Sequence, residues 1–114
     1  MQYVLSEQEI QNSILEWLHF VGIFAWRNNS AGIYDQRSGA YRRKPKYAIN
    51  GVSDILGILP DGKFFAIETK ANRRKKASYD QKQFISKINE QGGIALVAWS
   101  IEQVEERLKE YIKV

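Results

Sequence analysis

The sequence has no cysteine, one histidine and two prolines among its 114 residues. Without cysteine there is no disulfide framework, no thiolate-bound zinc and no thiol nucleophile. The single histidine, His19, has no partner His or Cys for a zinc site and no place in a Ser-His-Asp arrangement. A glycine-rich phosphate loop of the Walker type is also missing, so we expect no nucleotide cofactor. These absences set aside triad hydrolases and nucleotide triphosphatases.

Long apolar runs are missing as well. None approaches the roughly twenty residues that a membrane span needs, and the first residues, MQYVLSE, form neither a charged nor an apolar part of a signal peptide. We therefore expect a soluble, cytoplasmic protein with no membrane partner. The length predicts one domain over residues 1–114, and 44% hydrophobic with 26% charged residues is ordinary for a globular chain.

The positive charge is unevenly distributed. The net charge is +4, yet residues 37–47 and 70–76 each hold five basic residues and no acidic one, and the remaining positions hold 7 basic and 13 acidic residues. Two basic stretches favour a partner with a phosphate backbone, although a pair of solvated surface loops would have the same composition.

The central stretch, residues 51–71, predicts a β-hairpin. Two apolar runs, 55–59 and 64–67, are separated by Pro-Asp-Gly at 60–62, which suits a type I turn closed by a glycine in the left-handed region. A three-residue loop would place Asp54 directly opposite Glu68.

The same register puts Lys70 on the face of Glu68, two residues further along the strand. Like charges directly opposite each other destabilise a sheet, so two carboxylates call for a cation, and Mg²⁺ binds carboxylate oxygens. Asp54 and Glu68 are therefore candidate metal ligands. The alternative is that each carboxylate is solvated, or pairs with Lys70. A two-residue turn would instead put Asp54 opposite Thr69 and separate the pair.

Capping and periodicity predict the elements on either side of this hairpin. Ser6-x-x-Glu9 begins a helix that runs from Glu7 to about Val21, with Glu7 and Gln11 on its apolar face. A short strand follows at 23–27, where Trp26 is expected in the core. Residues 32–47 are interpreted as a basic hairpin or loop with Tyr34 and Tyr41 on its arms.

After the hairpin, Ser78-x-x-Gln81 begins a second helix that ends at Gly92-Gly93, with Gln81 on its apolar face. A buried strand at 94–99 and a last helix starting at Ser100 complete the chain. The predicted fold class is α/β, with a mixed central sheet flanked by helices in the order α-β, basic hairpin, β-β-α-β-α.

The residues of the central hairpin also resemble a known signature. Gly-Val-Ser-Asp at 51–54, followed fourteen residues later by Glu-Thr-Lys at 68–70, resembles the PD-(D/E)xK nuclease motif, with Ser53 where the name has proline. The pair Glu7 and Gln11 in the first helix, and Gln81 in the helix after the lysine, are similar to the VRR-NUC (virus-type replication-repair nuclease) branch. The resemblance covers roughly residues 6–100.

This resemblance implies a restriction-endonuclease-like core and a metal-dependent deoxyribonuclease. It implies that Asp54 and Glu68 hold Mg²⁺ or Mn²⁺ with help from the Thr69 carbonyl and Glu7, and that Lys70 assists the hydrolysis. Gln11 and Gln81 would contact these residues without binding the metal themselves.

The resemblance further implies a substrate and an assembly. Stand-alone domains of this size are similar to virus or bacteriophage members, for which the attractive case is a homodimer that cuts branched DNA such as four-way junctions. Cutting of flaps, single strands or duplexes by the same superfamily, and a non-catalytic nucleic-acid-binding module, remain alternatives. The candidate DNA-binding residues are Arg27, Asn28, Asn29, Ser30, Arg42, Arg43, Lys44, Lys46, Arg73, Arg74, Lys75 and Lys76.

Overall fold

The structure is a computed structural model that describes residues 4–28, 34–35, 40–41 and 45–112, the two short pieces as backbone only. The elements follow the predicted order. They are α1 (Glu7–Phe20), β1 (Phe24–Arg27), β2 (Tyr34–Asp35), β3 (Ala40–Tyr41), β4 (Ile55–Ile58), β5 (Phe64–Thr69), α2 (Tyr79–Glu90), β6 (Ile94–Ala98), α3 (Ile101–Leu108) and a 3₁₀ turn (Lys109–Tyr111).

Two of the three helices begin as their capping residues predict. In α1 the Glu9 N–H donates to Ser6 Oγ at 3.1 Å, and the Ser6 N–H donates to Glu9 Oε1 at 3.2 Å. Ser78 and Gln81 make the same reciprocal pair at the start of α2, at 3.2 and 2.8 Å. Each box satisfies two backbone N–H groups that the first helical turn cannot pair internally.

The third helix starts near the predicted position by another contact. Ser100 makes no capping hydrogen bond with its side chain. Instead, Gln103 Oε1 accepts from the Trp99 N–H at 2.6 Å, one residue before the expected cap. The side chain of Gln103 therefore ties the start of α3 to the end of β6.

The central sheet has the strand order β1-β4-β5-β6. Neighbours β1 and β4, and β4 and β5, are antiparallel, whereas β5 and β6 are parallel and are joined through α2. Helices α1 and α3 pack on one face, and α2 packs on the other, over β5 and β6. This is the mixed α/β architecture that the sequence predicts.

The hairpin between β4 and β5 has the three-residue loop on which the site prediction depends. The Leu59 N–H donates to the Lys63 carbonyl at 2.8 Å, and Gly62 lies in the left-handed region at φ +93°. The ladder pairs Ile55 with Ile67. One residue further on, Asp54 lies opposite Glu68, as predicted.

A second, separate hairpin is present after β1. Tyr34 pairs with Tyr41 and Asp35 with Ala40 in a two-stranded antiparallel sheet. This confirms a hairpin within the 32–47 stretch. Its turn, residues 36–39, lies outside the described residues.

The core is divided unequally between the two faces of the sheet. On the face of α1 and α3, Phe65 and Ile67 are completely buried among side chains of both helices. The opposite face has a smaller cluster in which Ala66 and Ala95 pack under Phe84 of α2. Since successive side chains of a strand point to opposite faces, the alternation along β5 assigns Glu68 to the face of α2 and Thr69 to that of α1.

Trp26 does not lie in the core, contrary to the prediction. Its side chain is 39% exposed, whereas its neighbour Ala25 is 5% exposed and packs in the cluster with α1. The strand β1 is at the edge of the sheet, and α2 does not extend over it. The apolar run Phe-Ala-Trp gave no alternation from which the open face could be recognised.

Among the residues that the structure describes, no helix is both long enough and apolar enough to cross a membrane.

Candidate functional site

Two carboxyl groups meet where β4 and β5 come together at the end opposite the hairpin turn. Asp54 immediately precedes β4 and is half-buried, and Glu68 is the penultimate residue of β5 and is only 2% exposed. The register of the ladder places them directly opposite each other. The structure therefore brings together the first two residues of the predicted site.

The environment of Glu68 disfavours the ionised form of its carboxyl group. Burial, then the hydrogen bond with Asp54 and the negative charge of that residue, raise the pKa of Glu68 from 4.5 to about 9, against the opposing effect of Lys70. At neutral pH the metal-free carboxyl is consequently protonated. Its Oε1 atom is buried and makes no hydrogen bond with any described residue. Such an orphaned oxygen is costly unless a ligand satisfies it.

Asp54 is fixed by the backbone and side chain of Thr69. The Thr69 N–H and its Oγ1 hydroxyl both donate to Asp54 Oδ2, at 2.9 and 2.8 Å. Thr69 Oγ1 in turn accepts from Gln11 Nε2 at 3.2 Å. Gln11 therefore connects α1 to Thr69, and its role in the site stays a prediction. The Thr69 carbonyl as a metal ligand stays a prediction.

The loop before Asp54 is positioned by a close approach to α2. Gly51 lies in the left-handed region at φ +77°, and a Cβ at this position would lie 2.3 Å from the backbone carbon of Asp80. Only glycine fits both requirements. Behind the loop, Ser53 is completely buried with an Oγ that has no described partner. The Asn28 N–H donates to the Asp54 carbonyl at 2.7 Å and extends the β1–β4 pairing to the site.

Lys70 extends β5 beyond the carboxyl pair. Its N–H donates to the Ala98 carbonyl of β6 at 3.0 Å, which fixes the backbone, and its side chain is half-buried. Within the described part of the chain, Lys70 forms no ion pair with a carboxylate. The structural alternative of a private ion pair with Glu68 therefore finds no contact to support it.

Glu7 and Gln81 are less closely involved. Glu7 is half-buried near the start of α1, and its charge contributes the smallest of the effects that raise the pKa of Glu68. No group of three or more His, Asp or Glu side chains in the described ranges could hold a metal ion, so a place for Glu7 among the ligands stays a prediction. Gln81 is engaged in the capping of α2.

The second basic stretch lies beside the end of β6. Arg73 places its guanidinium 5.0 Å from the ring centre of Trp99, and Trp99 Nε1 donates to the Lys75 carbonyl at 3.4 Å. Asn72 Oδ1 accepts from the Arg74 N–H at 2.9 Å and closes the local turn. These contacts hold an exposed basic loop next to Lys70, with candidate DNA-binding residues Arg73, Arg74, Lys75 and Lys76.

The other candidate DNA-binding residues are divided. Arg27, at the end of β1, donates to Asn12 Oδ1 of α1 and is exposed. Lys46 lies with its Nζ 5.3 Å from the ring centre of Tyr47. Outside the described residues lie Asn29, Ser30, Arg42, Arg43 and Lys44.

The donor set fits a hard divalent cation. Asp54 and Glu68 offer carboxylate oxygens, one of them buried and without a partner. Mg²⁺ commonly binds through one or two carboxylates and keeps several waters for the substrate to replace. Two adjacent carboxyl groups, of which Asp54 is half-buried and Glu68 buried, therefore suffice without a third acidic side chain.

Comparison with known proteins supports the fold. No family model matches the sequence, and no curated protein matches it. A solved structure titled "VRR_NUC domain" is similar over 93% of this chain and 97% of its own, with a TM-score of 0.65 and 21% identity. Another, titled "VRR_NUC domain protein", is similar over 96% and 89%, with a TM-score of 0.60 and 19% identity.

At these identities the likeness concerns the arrangement of the backbone. The chain has the restriction-endonuclease-like fold of the VRR_NUC domain structures, here a mixed sheet with flanking helices. The resemblance seen in the sequence motif is thereby confirmed at the level of the fold.

Proposed function

We propose that this protein is a metal-dependent nuclease that hydrolyses phosphodiester bonds in DNA. The observation that carries the proposal is the buried pair of Asp54 and Glu68, in which Glu68 Oε1 has no partner within the described chain. A purely structural pair would not need two carboxyl groups opposite each other, one of them neutral and unsatisfied. The fold shared with the VRR_NUC domain structures supports the same reaction.

Asp54 and Glu68 would hold Mg²⁺ or Mn²⁺, with the Thr69 carbonyl and Glu7 as further proposed ligands. When bound, such a cation neutralises charge on the scissile phosphate and makes a coordinated water more acidic. The chain's own contribution is orientation, since Thr69 fixes Asp54 through two hydrogen bonds and Gln11 fixes Thr69. This preorganisation keeps the carboxylates in place when the substrate arrives.

Lys70 is the proposed catalytic cation. It follows Glu68 on the same face of β5, and no described carboxylate neutralises it. Its ammonium would stabilise negative charge developing on the phosphate and would orient the attacking water. The exposed basic loop at 73–76, tied to Trp99, supplies positive charge for the flanking backbone phosphates.

The more specific hypothesis concerns substrate and assembly. A structure-selective endonuclease that resolves four-way junctions would need two sites on two strands, which a homodimer provides. The sequence resemblance supports this case. The competing function is a nucleic-acid-binding module in which the basic loops bind DNA and the carboxyl groups have no catalytic part.

The decisive experiment compares cleavage of labelled four-way junction, flap, single-stranded and duplex DNA in Mg²⁺, Mn²⁺ or EDTA. Glu68→Gln is the best variant, because the amide has the shape of the protonated carboxyl that the metal-free fold holds. We expect metal-dependent cutting by the wild type and a loss of about a thousandfold in Glu68→Gln and in Lys70→Ala.

The matched control is Glu16→Gln, an exposed carboxylate on α1, which should cut at the wild-type rate. Thermal unfolding with and without Mn²⁺ gives a second reading, since the cation should raise the midpoint of the wild type and not that of Glu68→Gln. Equal DNA binding in EDTA and Mg²⁺, with no cutting of any substrate, would instead identify a binding module.

A further inference from the structure

The face of the sheet that bears the carboxyl pair is only half covered. Helix α2 packs over β5 and β6, and the half-buried Leu56 of β4 packs in the cluster of Phe84. Beyond it, three side chains of β1 and β4 are exposed. Phe24 is 66% exposed, Trp26 is 39% exposed and Ile58 is 42% exposed. We call these three residues the open apolar patch.

The register of the sheet places this patch next to the candidate site. Trp26 pairs with Leu56 and Phe24 with Ile58, so Trp26 and Phe24 follow one another along β1 on the same face. The next residue of this row is Asn28, whose N–H is bonded to the Asp54 carbonyl. From strand spacing and rise, the Cα atoms of Trp26 and Asp54 are about 8 Å apart. The patch is thus a continuation of the site.

The chemistry of the patch suits flat apolar rings. The Phe24 and Trp26 rings have centroids 5.2 Å apart and are tilted by 46°, so they form an uneven aromatic surface and not a closed stack. Between them in sequence, Ala25 points into the core. Arg27, two residues after Ala25, lies on that same side of the sheet and donates to Asn12 of α1. Exposed aromatic rings are the elements on which unpaired bases stack in proteins that bind single strands.

We propose that Phe24 and Trp26 stack with unpaired bases of the DNA strand that enters the Asp54–Glu68 site. This inference rests on the proposed function and narrows it. Paired bases are shielded within the helix, whereas unpaired ones expose their faces, so the site prefers strands with unpaired nucleotides beside the scissile phosphate.

The test measures binding separately from cutting. Trp26→Ala and Phe24→Ala are made in the Glu68→Gln background, and binding is measured in EDTA with 2-aminopurine-labelled DNA. The ligands are a single strand, a gapped duplex and a blunt duplex of equal length. The matched control is Phe20→Ala, because Phe20 is 89% exposed at the end of α1 and is not part of the sheet.

We expect each patch substitution to weaken binding of single-stranded and gapped DNA roughly tenfold or more, with loss of the change in 2-aminopurine fluorescence. Blunt-duplex binding, and all binding by Phe20→Ala, should be unchanged. The proposal is overturned if the patch variants bind all three ligands like the control, or lose all three equally. It is also overturned if the substitutions convert a dimer to a monomer, since the patch would then be an interface between copies.

Failure of the stacking proposal and failure of the nuclease proposal would give different results. If the wild type cuts DNA but the Trp26 and Phe24 variants bind unpaired bases as tightly as their parent, the nuclease proposal stands and the stacking proposal fails. A protein that stacks bases on the patch but cuts nothing in any metal would retain the stacking surface and lose the nuclease proposal.

Discussion

The two faces of the central sheet differ in how completely helices cover them. On the face of α1 and α3, Phe65 and Ile67 are fully buried, and the helices cover the strands. On the other face, α2 covers β5 and β6 and its Phe84 cluster includes Leu56 of β4, whereas Phe24 and Trp26 remain exposed. Glu68 belongs to this second face. The comparison teaches that the face of α1 and α3 provides most of the core, whereas the other face is packed under α2 and left exposed on β1.

The largest expected effect is on the packed face. Phe65→Ala should lower the free energy of unfolding by about 3–5 kcal/mol, because the ring is fully buried and lies across Gly57, leaving a cavity that no neighbour can fill. Phe24→Ala, on the open face, should change it by less than about 1 kcal/mol. Urea denaturation of the two variants measures both values. Similar losses for both would mean that the open face is also part of the stabilising core.

The second prediction concerns the pH dependence of the metal-free protein. The folded pKa of Glu68, about 9, exceeds its unfolded value of 4.5, so the folded state binds the additional proton between these pH values. This contribution to stability is fully present below pH 4.5 and is lost as the pH rises to about 9. For one proton the slope is at most about 1.4 kcal/mol per pH unit.

Glu68→Gln isolates that contribution, because glutamine does not titrate. In EDTA, the free energy of unfolding of the variant should therefore fall less between pH 5 and pH 9 than that of the wild type. Urea denaturation at each pH measures it. Glu16→Gln is the control, since an exposed carboxylate should leave the profile unchanged. A profile for Glu68→Gln that is parallel to the wild type would show that Glu68 ionises normally in the folded protein.

Much of the site could be predicted from the sequence because a turn of known length fixes a register. Pro-Asp-Gly at 60–62 determined that Asp54 faces Glu68, and the ladder confirms it. The same local reasoning could not predict that Trp26 is exposed, since burial of an edge strand depends on how far α2 extends. Nor could it find the hydrogen bonds from Thr69 to Asp54, which depend on how the chain bends before β4.

The smallest expected effect tests a connection between the two faces that runs through hydrogen bonds of Thr69. Gln11 of α1 donates to Thr69 Oγ1 on the packed face, and Thr69 donates to Asp54 Oδ2 at the site. Gln11→Ala should lower the free energy of unfolding by about 0.5–1.5 kcal/mol, the usual net value of one hydrogen bond. Gln8→Ala, exposed on the same helix, is the matched control and should have no effect.

Thr69→Val removes the hydroxyl but keeps the branched shape, and it completes a double-mutant cycle with Gln11→Ala. Because both substitutions break the same hydrogen bond, the double variant should lose less stability than the sum of the single variants. Thr69→Val should also lower the rate of DNA cleavage under conditions where the variant is still fully folded, because Asp54 Oδ2 loses one of its two hydrogen-bond donors. Additive losses, with cleavage unaffected, would mean that α1 stabilises the sheet without orienting Asp54.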